Sequence, residues 1–128
     1  MKDLMSKSVL LIDDDKVLNF LTANALKRSE HVTEVFVAYD GVQALSLLEQ
    51  LDEPLDFILL DISMPNMDGF EFLTNYYQKG LNTKAKIAIY TSSIEEADKL
   101  KASKYEDVID FIVKPLSNEK LDEILAEI

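Results

Sequence analysis

Residues 57–60, Phe-Ile-Leu-Leu, form an unbroken apolar run that ends on a carboxylate, Asp61, and then breaks at Met64-Pro65-Asn66. Such a run is far too short to cross a membrane, and it has the pattern of a strand buried on both faces of a parallel sheet. Asp61 then falls on the rim of that sheet. Proline lacks a donor and steers its predecessor away from helix, so the chain turns here, and Asp68-Gly69 opens the next periodic segment.

The same grammar recurs along the chain. Residues 1 to 7 are polar and read as a loose tail, and Ser8 to Ile12 reads as a strand ending in Asp13-Asp14-Asp15. One of these aspartates can cap the helix that follows, whose inward face is expected to carry Leu18, Leu21, Ala25 and Leu26. Val32 to Ala38 makes a second strand. Asp40 with Gln43 has the pattern of a capping box, before a helix that turns Ala44, Leu45 and Leu48 inward. After the central strand a helix is expected over 67–78 with Phe70, Leu73 and Tyr77 on one face, stopped by Gly80. Ile87 to Tyr90 ends at Thr91, and Ser93 with Glu96 suggests another capping box, opening a helix through Ala97 and Leu100. Val108 to Val113 ends at Lys114-Pro115. Leu121, Ile124, Leu125 and Ile128 then give the clearest helical stripe, behind a Ser117 cap.

Five strand patterns alternating with five helix patterns imply right-handed βαβ crossovers and a five-stranded parallel sheet covered on both faces, an α/β doubly wound fold. At 128 residues the chain is expected to be one domain. There is no cysteine, hence no disulfide and no thiolate metal site. Glycines stand only at 41, 69 and 80, so neither a P-loop nor a dinucleotide fingerprint can be written. A net charge of −11 opposes binding to nucleic acid or anionic lipid. No apolar stretch resembles a signal peptide or membrane helix, which makes the cytoplasm the default location.

Ligands of such sheets bind beyond the carboxyl ends of the strands. Asp13 and Asp14, Asp61, Thr91 and Lys114 all fall at such ends. Carboxylates about 4 Å apart repel by ~4 kcal/mol per pair at an effective dielectric near 20, so three together call for a cation. Oxygen donors without His or Cys favour Mg²⁺, with Mn²⁺ as the alternative ion. Such a site suits phosphoryl transfer: Asp61 as nucleophile forming an acyl phosphate, and Lys114 and Thr91 as partners of the phosphoryl oxygens.

The order and spacing of Asp13-Asp14, Asp61-Ile-Ser-Met-Pro-Asn-Met-Asp-Gly, Thr91 and Phe111-Ile-Val-Lys114-Pro115 closely resemble the receiver domain of two-component response regulators. The resemblance covers essentially the whole chain. It implies a flavodoxin-like (βα)5 fold with strand order 2-1-3-4-5, Asp61 as phospho-acceptor, Asp14 as direct magnesium ligand and Asp13 as a ligand through water. It also implies the Ser63 backbone carbonyl as a further ligand, Thr91 and Phe111 as the switch pair, Lys114 as the phosphate-binding lysine and a cis bond before Pro115. Two positions depart from the commonest pattern: Ser92 follows Thr91 where alanine or glycine is frequent, and residues 102–107 lack a glycine turn.

By the same resemblance the phosphoryl donor is a histidine kinase or histidine phosphotransfer protein, and the product decays by self-catalysed loss. Output is expected through contact with a downstream protein on the face of the fourth helix, fifth strand and fifth helix. No effector domain, nucleic-acid binding or membrane insertion is expected. Two other functions fit the residues less well. A small Mg²⁺-dependent aspartyl-phosphate phosphohydrolase usually has its nucleophile after the first strand and a cap over the substrate, and a degenerate receiver that only binds partners would not keep every acceptor position filled.

Overall fold

A computed structural model describes residues 7–81, 84–92 and 94–128. The elements alternate as β1 (Lys7–Ile12), α1 (Lys16–Arg28), β2 (Val32–Ala38), α2 (Gly41–Gln50), β3 (Phe57–Leu60), α3 (Gly69–Gln78), β4 (Lys86–Thr91), α4 (Glu96–Ala102), β5 (Val108–Val113) and α5 (Asn118–Glu127). All five strands are parallel, in the order β2-β1-β3-β4-β5. The doubly wound fold and the 2-1-3-4-5 order are therefore those expected. Lys7 belongs to β1 and not to the tail; the remainder of the expected tail lies outside the described residues.

Alternate side chains of each strand feed two cores, which is why the strands read as continuous apolar runs. Leu10, Ile12, Ile58, Leu60, Ile87 and Ile89 meet α2 and α3 on one face. Val9, Leu11, Phe57, Leu59, Ala88 and Tyr90 meet Leu26 of α1 and Leu121, Ile124 and Leu125 of α5 on the other. Among the described residues, no helix is long and apolar enough to cross a membrane.

Three helix faces differ from expectation. In α1 the buried side is Asn19, Thr22, Ala23 and Leu26, while Leu21 is 58% exposed and Ala25 is half-buried. Apolar residues occur all round this helix, so spacing alone does not select the inward side; the polar pair is buried because both members are hydrogen-bonded. Helix α3 starts at Gly69, two residues later than expected, behind a reciprocal capping box of Asp68 and Glu71. That start sets the buried stripe at Gly69, Phe72, Leu73 and Tyr76, leaving Phe70 and Tyr77 half-buried. Helix α4 has Glu95 as N-cap with no side-chain cap bond, and its Ala97 and Leu100 face outward; only Ala102 is buried. The expected Ser93 cap falls outside the described residues.

The caps at Asp15, Asp40 and Ser117 each accept a hydrogen bond from the first turn of their helices. Gln43 completes its part of the box one residue early, accepting from the Tyr39 amide instead of that of Asp40. The glycine-free segment before β5 is held by aromatic contacts. Tyr105 stacks on Tyr77 with centroids 5.4 Å apart, and the Tyr77 hydroxyl donates to Asp107 at 2.7 Å.

Candidate functional site

The parallel register brings the ends of β1, β3, β4 and β5 to one rim. Backbone bonds fix the residues just past each end: the Asp13 amide donates to the Ala38 carbonyl, Asp61 to Ile12 and Lys114 to Thr91. Asp13 is fully buried. Its carboxylate accepts from the Asp15 amide at 3.0 Å, and its carbonyl accepts from the Asn19 side chain at 2.6 Å. Asp14, one residue on, is exposed.

Asp61 is buried, with Oδ1 accepting from the Ser63 amide at 2.9 Å. Lys114 Nζ closes the site, 3.1 Å from Asp61 Oδ2 and 2.6 Å from Asp13 Oδ2. Thr91 is buried at the end of β4. Phe111, level with Ile89 on the neighbouring strand, is half-buried and packs against the α2–α3 core. The Lys114–Pro115 peptide is cis.

Burial pushes the Asp61 carboxyl up to about 6; the Ser63 amide and the Lys114 charge pull it down, and the Asp13 charge adds to the rise. Burial works against the Lys114 ammonium, but its bond to Asp13 and the charges of both carboxylates outweigh it, so its pKa is raised. The lysine stays charged.

One carboxylate oxygen from each of Asp13, Asp14 and Asp61 fits within 4.8 Å of the other two. This all-oxygen donor set, with two members buried and one cation against three acids, suits a hard divalent ion. Among the described residues nothing bonds the Asp14 carboxylate, which leaves it available to such an ion. Asp13, Asp14, Asp61 and Lys114 thus come together in space, with Thr91 at the neighbouring strand end.

Sequence reasoning placed Gly69 at the opening of the third helix but gave it no part in the site, and it did not single out Asn19 or Tyr90. A Cβ on Gly69 would lie 2.8 Å from the Asp61 carbonyl oxygen, so α3 packs directly on the backbone of Asp61. An asparagine at the edge of an apolar helical stripe was the only advance signal of Asn19. Tyr90 reads simply as core.

Residues 9–126 match the family model of the response regulator receiver domain. The chain belongs to this family. An uncharacterized response regulatory protein of Staphylococcus epidermidis is 30% identical over 118 residues, which make up 91% of this chain and 44% of that protein. The chain thus spans less than half the length of that relative. Among solved structures, a two-component response regulator from Cytophaga hutchinsonii is 27% identical with a TM-score of 0.85, covering 95% of this chain and 96% of its own. The phosphorylated cyanobacterial phytochrome response regulator RcpA is also 27% identical, with a TM-score of 0.76 and coverage of 95% and 90%. The chain is thus a receiver domain of the two-component response-regulator family.

A metal-free receiver site carries a stability penalty that can be measured. A carboxyl whose folded pKa lies above its unfolded value favours folding at low pH, and that advantage is lost as pH rises through the folded value. For Asp61 the window runs from 3.8 to about 6, and the penalty above it is at most about 3 kcal/mol. Asp61→Asn is therefore expected to raise the melting temperature at pH 8 without divalent ions, with the gain shrinking as pH falls from 6 to 4. Thermal denaturation of both proteins across that range checks it; a gain independent of pH would point away from the buried charge.

Proposed function

We propose that Asp61 accepts a phosphoryl group from a phosphohistidine of a histidine kinase or histidine phosphotransfer protein, and that this modification changes which protein the domain contacts. The observation that carries the reading is the Asp61 carboxylate at the end of the central strand, buried and bridged to Asp13 by the Lys114 ammonium. An Asp61 oxygen attacks phosphorus, the phosphorus–nitrogen bond breaks as the new phosphorus–oxygen bond forms, and the imidazole nitrogen leaves with the electron pair. The similar response regulator RcpA has been crystallised in its phosphorylated form, which supports the same reading.

Mg²⁺ held by Asp14, Asp61 and the Ser63 carbonyl, with Asp13 through water and Mn²⁺ as substitute, would neutralise charge on the acids and on the transferring group. Lys114 turns from the carboxylate pair to a phosphoryl oxygen as a point charge already in place. Thr91 gives its hydroxyl to another oxygen, and Phe111, on the adjacent strand, follows the space it vacates. Loss of the phosphoryl group to water at the same site returns the domain to its resting state.

The output face in this reading is α4, β5 and α5. Leu100 and Val113 are large apolar side chains 71% and 52% exposed there, and the outer side of α5 carries Glu119, Asp122 and Glu123. An apolar or basic protein surface fits it, with output by contact from a single receiver unit in the cytoplasm. The concave clefts by Leu51, Pro54 and Lys84 lie at the amino ends of the strands, away from Asp61.

Incubation with Mg²⁺ and a small acyl phosphate, followed by intact mass, is expected to show a gain of one phosphoryl group that Asp61→Asn abolishes. An unmodified wild type, or an Asp61→Asn protein that still gains the mass, overturns the assignment.

A further inference from the structure

Tyr90 of β4 is fully buried in the α1–α5 core, yet its hydroxyl is bonded on two sides. It accepts from the Leu116 amide at 3.2 Å and lies 3.0 Å from Thr22 Oγ1 of α1, where either oxygen is able to donate. Phenylalanine would supply the same apolar volume. What the hydroxyl adds is these two connections, and the amide it holds is two residues past Lys114.

The lysine backbone is thereby pinned on both sides by consecutive residues of one strand. Before it, the Lys114 amide donates to the Thr91 carbonyl at 2.9 Å; after it, the Tyr90 hydroxyl holds Leu116. The side chain is guided by the same residue. Lys114 Nζ lies 5.5 Å from the centroid of the Tyr90 ring, within cation–π reach, while it bridges Asp13 and Asp61. A four-carbon stem has many rotamers, and a charge assists transfer most when its position is set beforehand. Helix α1 braces both ends of this arrangement, with Asn19 on the Asp13 carbonyl and Thr22 on Tyr90.

We propose that Tyr90 is a positioning residue for Lys114: its hydroxyl anchors the loop after the lysine to β4 and α1, and its ring borders the path of the ammonium. The proposal rests on the reading of Asp61 as phospho-acceptor. It assigns a task in phosphoryl transfer to a residue that touches no phosphoryl group.

The test is a double-mutant cycle on the rate of Asp61 modification by a small acyl phosphate with Mg²⁺, followed by intact mass in wild type, Tyr90→Phe, Lys114→Ala and the double variant. Tyr90→Phe is expected to lower the maximal rate about tenfold, or about 1.4 kcal/mol of barrier, with little change in the donor concentration giving half-maximal rate. In the Lys114→Ala background the same change is expected to have less than about a twofold effect. A merely structural tyrosine would slow both backgrounds alike, and that result, or a wild-type rate for Tyr90→Phe, overturns the proposal. Should Tyr90→Phe melt below the assay temperature, Thr22→Val breaks one of the same two bonds and replaces it in the cycle, with the same outcomes decisive. A wild type that takes up no mass instead removes the phospho-acceptor reading itself.

Discussion

Lys114→Ala is expected to destabilise the protein by about 3 kcal/mol at pH 8 in the absence of divalent ions, because it strands two buried carboxylates. The ammonium bridges Asp13 and Asp61 at 2.6 and 3.1 Å, and both acids are essentially without solvent access. Two conditions should return much of the loss. Protons are one: with the lysine gone, the burial and the Asp13 charge that already push Asp61 up are opposed only by the Ser63 amide among the groups that now act on it, so protonation relieves the site at pH 5. Divalent cations are the other, since an ion that binds only the folded site stabilises by mass action. Urea denaturation at pH 8, at pH 5 and at pH 8 with Mg²⁺ measures all three. A loss that neither condition repairs would mean that the packing of the lysine's aliphatic stem, and not its charge, was removed. The same variant is expected to slow modification by acyl phosphate about a hundredfold, since a preplaced charge on the transferring group is gone.

Strands and rim acids were legible in the sequence for one physical reason. A strand buried on both faces has to be apolar throughout, so Phe57 to Leu60 announces itself, and a carboxylate immediately after it has nowhere to go but the edge. Helix faces were less legible, because burial there depends on partners far away in the chain. Leu21 was expected inside and Thr22 was not; the Tyr90 hydroxyl, 68 residues distant, reverses that choice. The start of α3 turned on whether Asp68 capped the helix or merely preceded it. The adjacent acids Asp13 and Asp14 look equivalent on paper, and only the fold separates them into one buried against Lys114 and one open to solvent. Polar residues in a core are invisible to periodicity, since what permits them is a hydrogen bond and not a pattern.

Gly69→Ala is expected to damage the site more than its single methyl suggests. A Cβ at this position would stand 2.7 Å from the Ile62 Cα and 2.8 Å from the Asp61 carbonyl oxygen, and the Gly69 amide already donates to the Ile62 carbonyl at 3.2 Å. These are backbone atoms of the segment that carries Asp61, so neither a rotamer change nor a side-chain tilt relieves the clash. Either α3 or the turn after β3 has to move, and overpacking of this kind costs about 1–3 kcal/mol. Misplacement by about 1 Å costs about a hundredfold in a reaction that depends on alignment, so modification of Asp61 should fall by that order even where the fold survives. Gly41→Ala provides the contrast. The atoms nearest its new methyl would be those of the Met67 side chain, Sδ at 2.7 Å, Cγ at 2.9 Å and Cβ at 3.2 Å; the unbranched thioether can swing away with a small shift at its Cβ, while the helix gains the better propensity of alanine. Denaturation midpoints and intact-mass kinetics of the two variants should therefore diverge. Equal behaviour would show that the Asp61 backbone yields as easily as a methionine side chain, and that the packing of α3 is not what holds Asp61 in place.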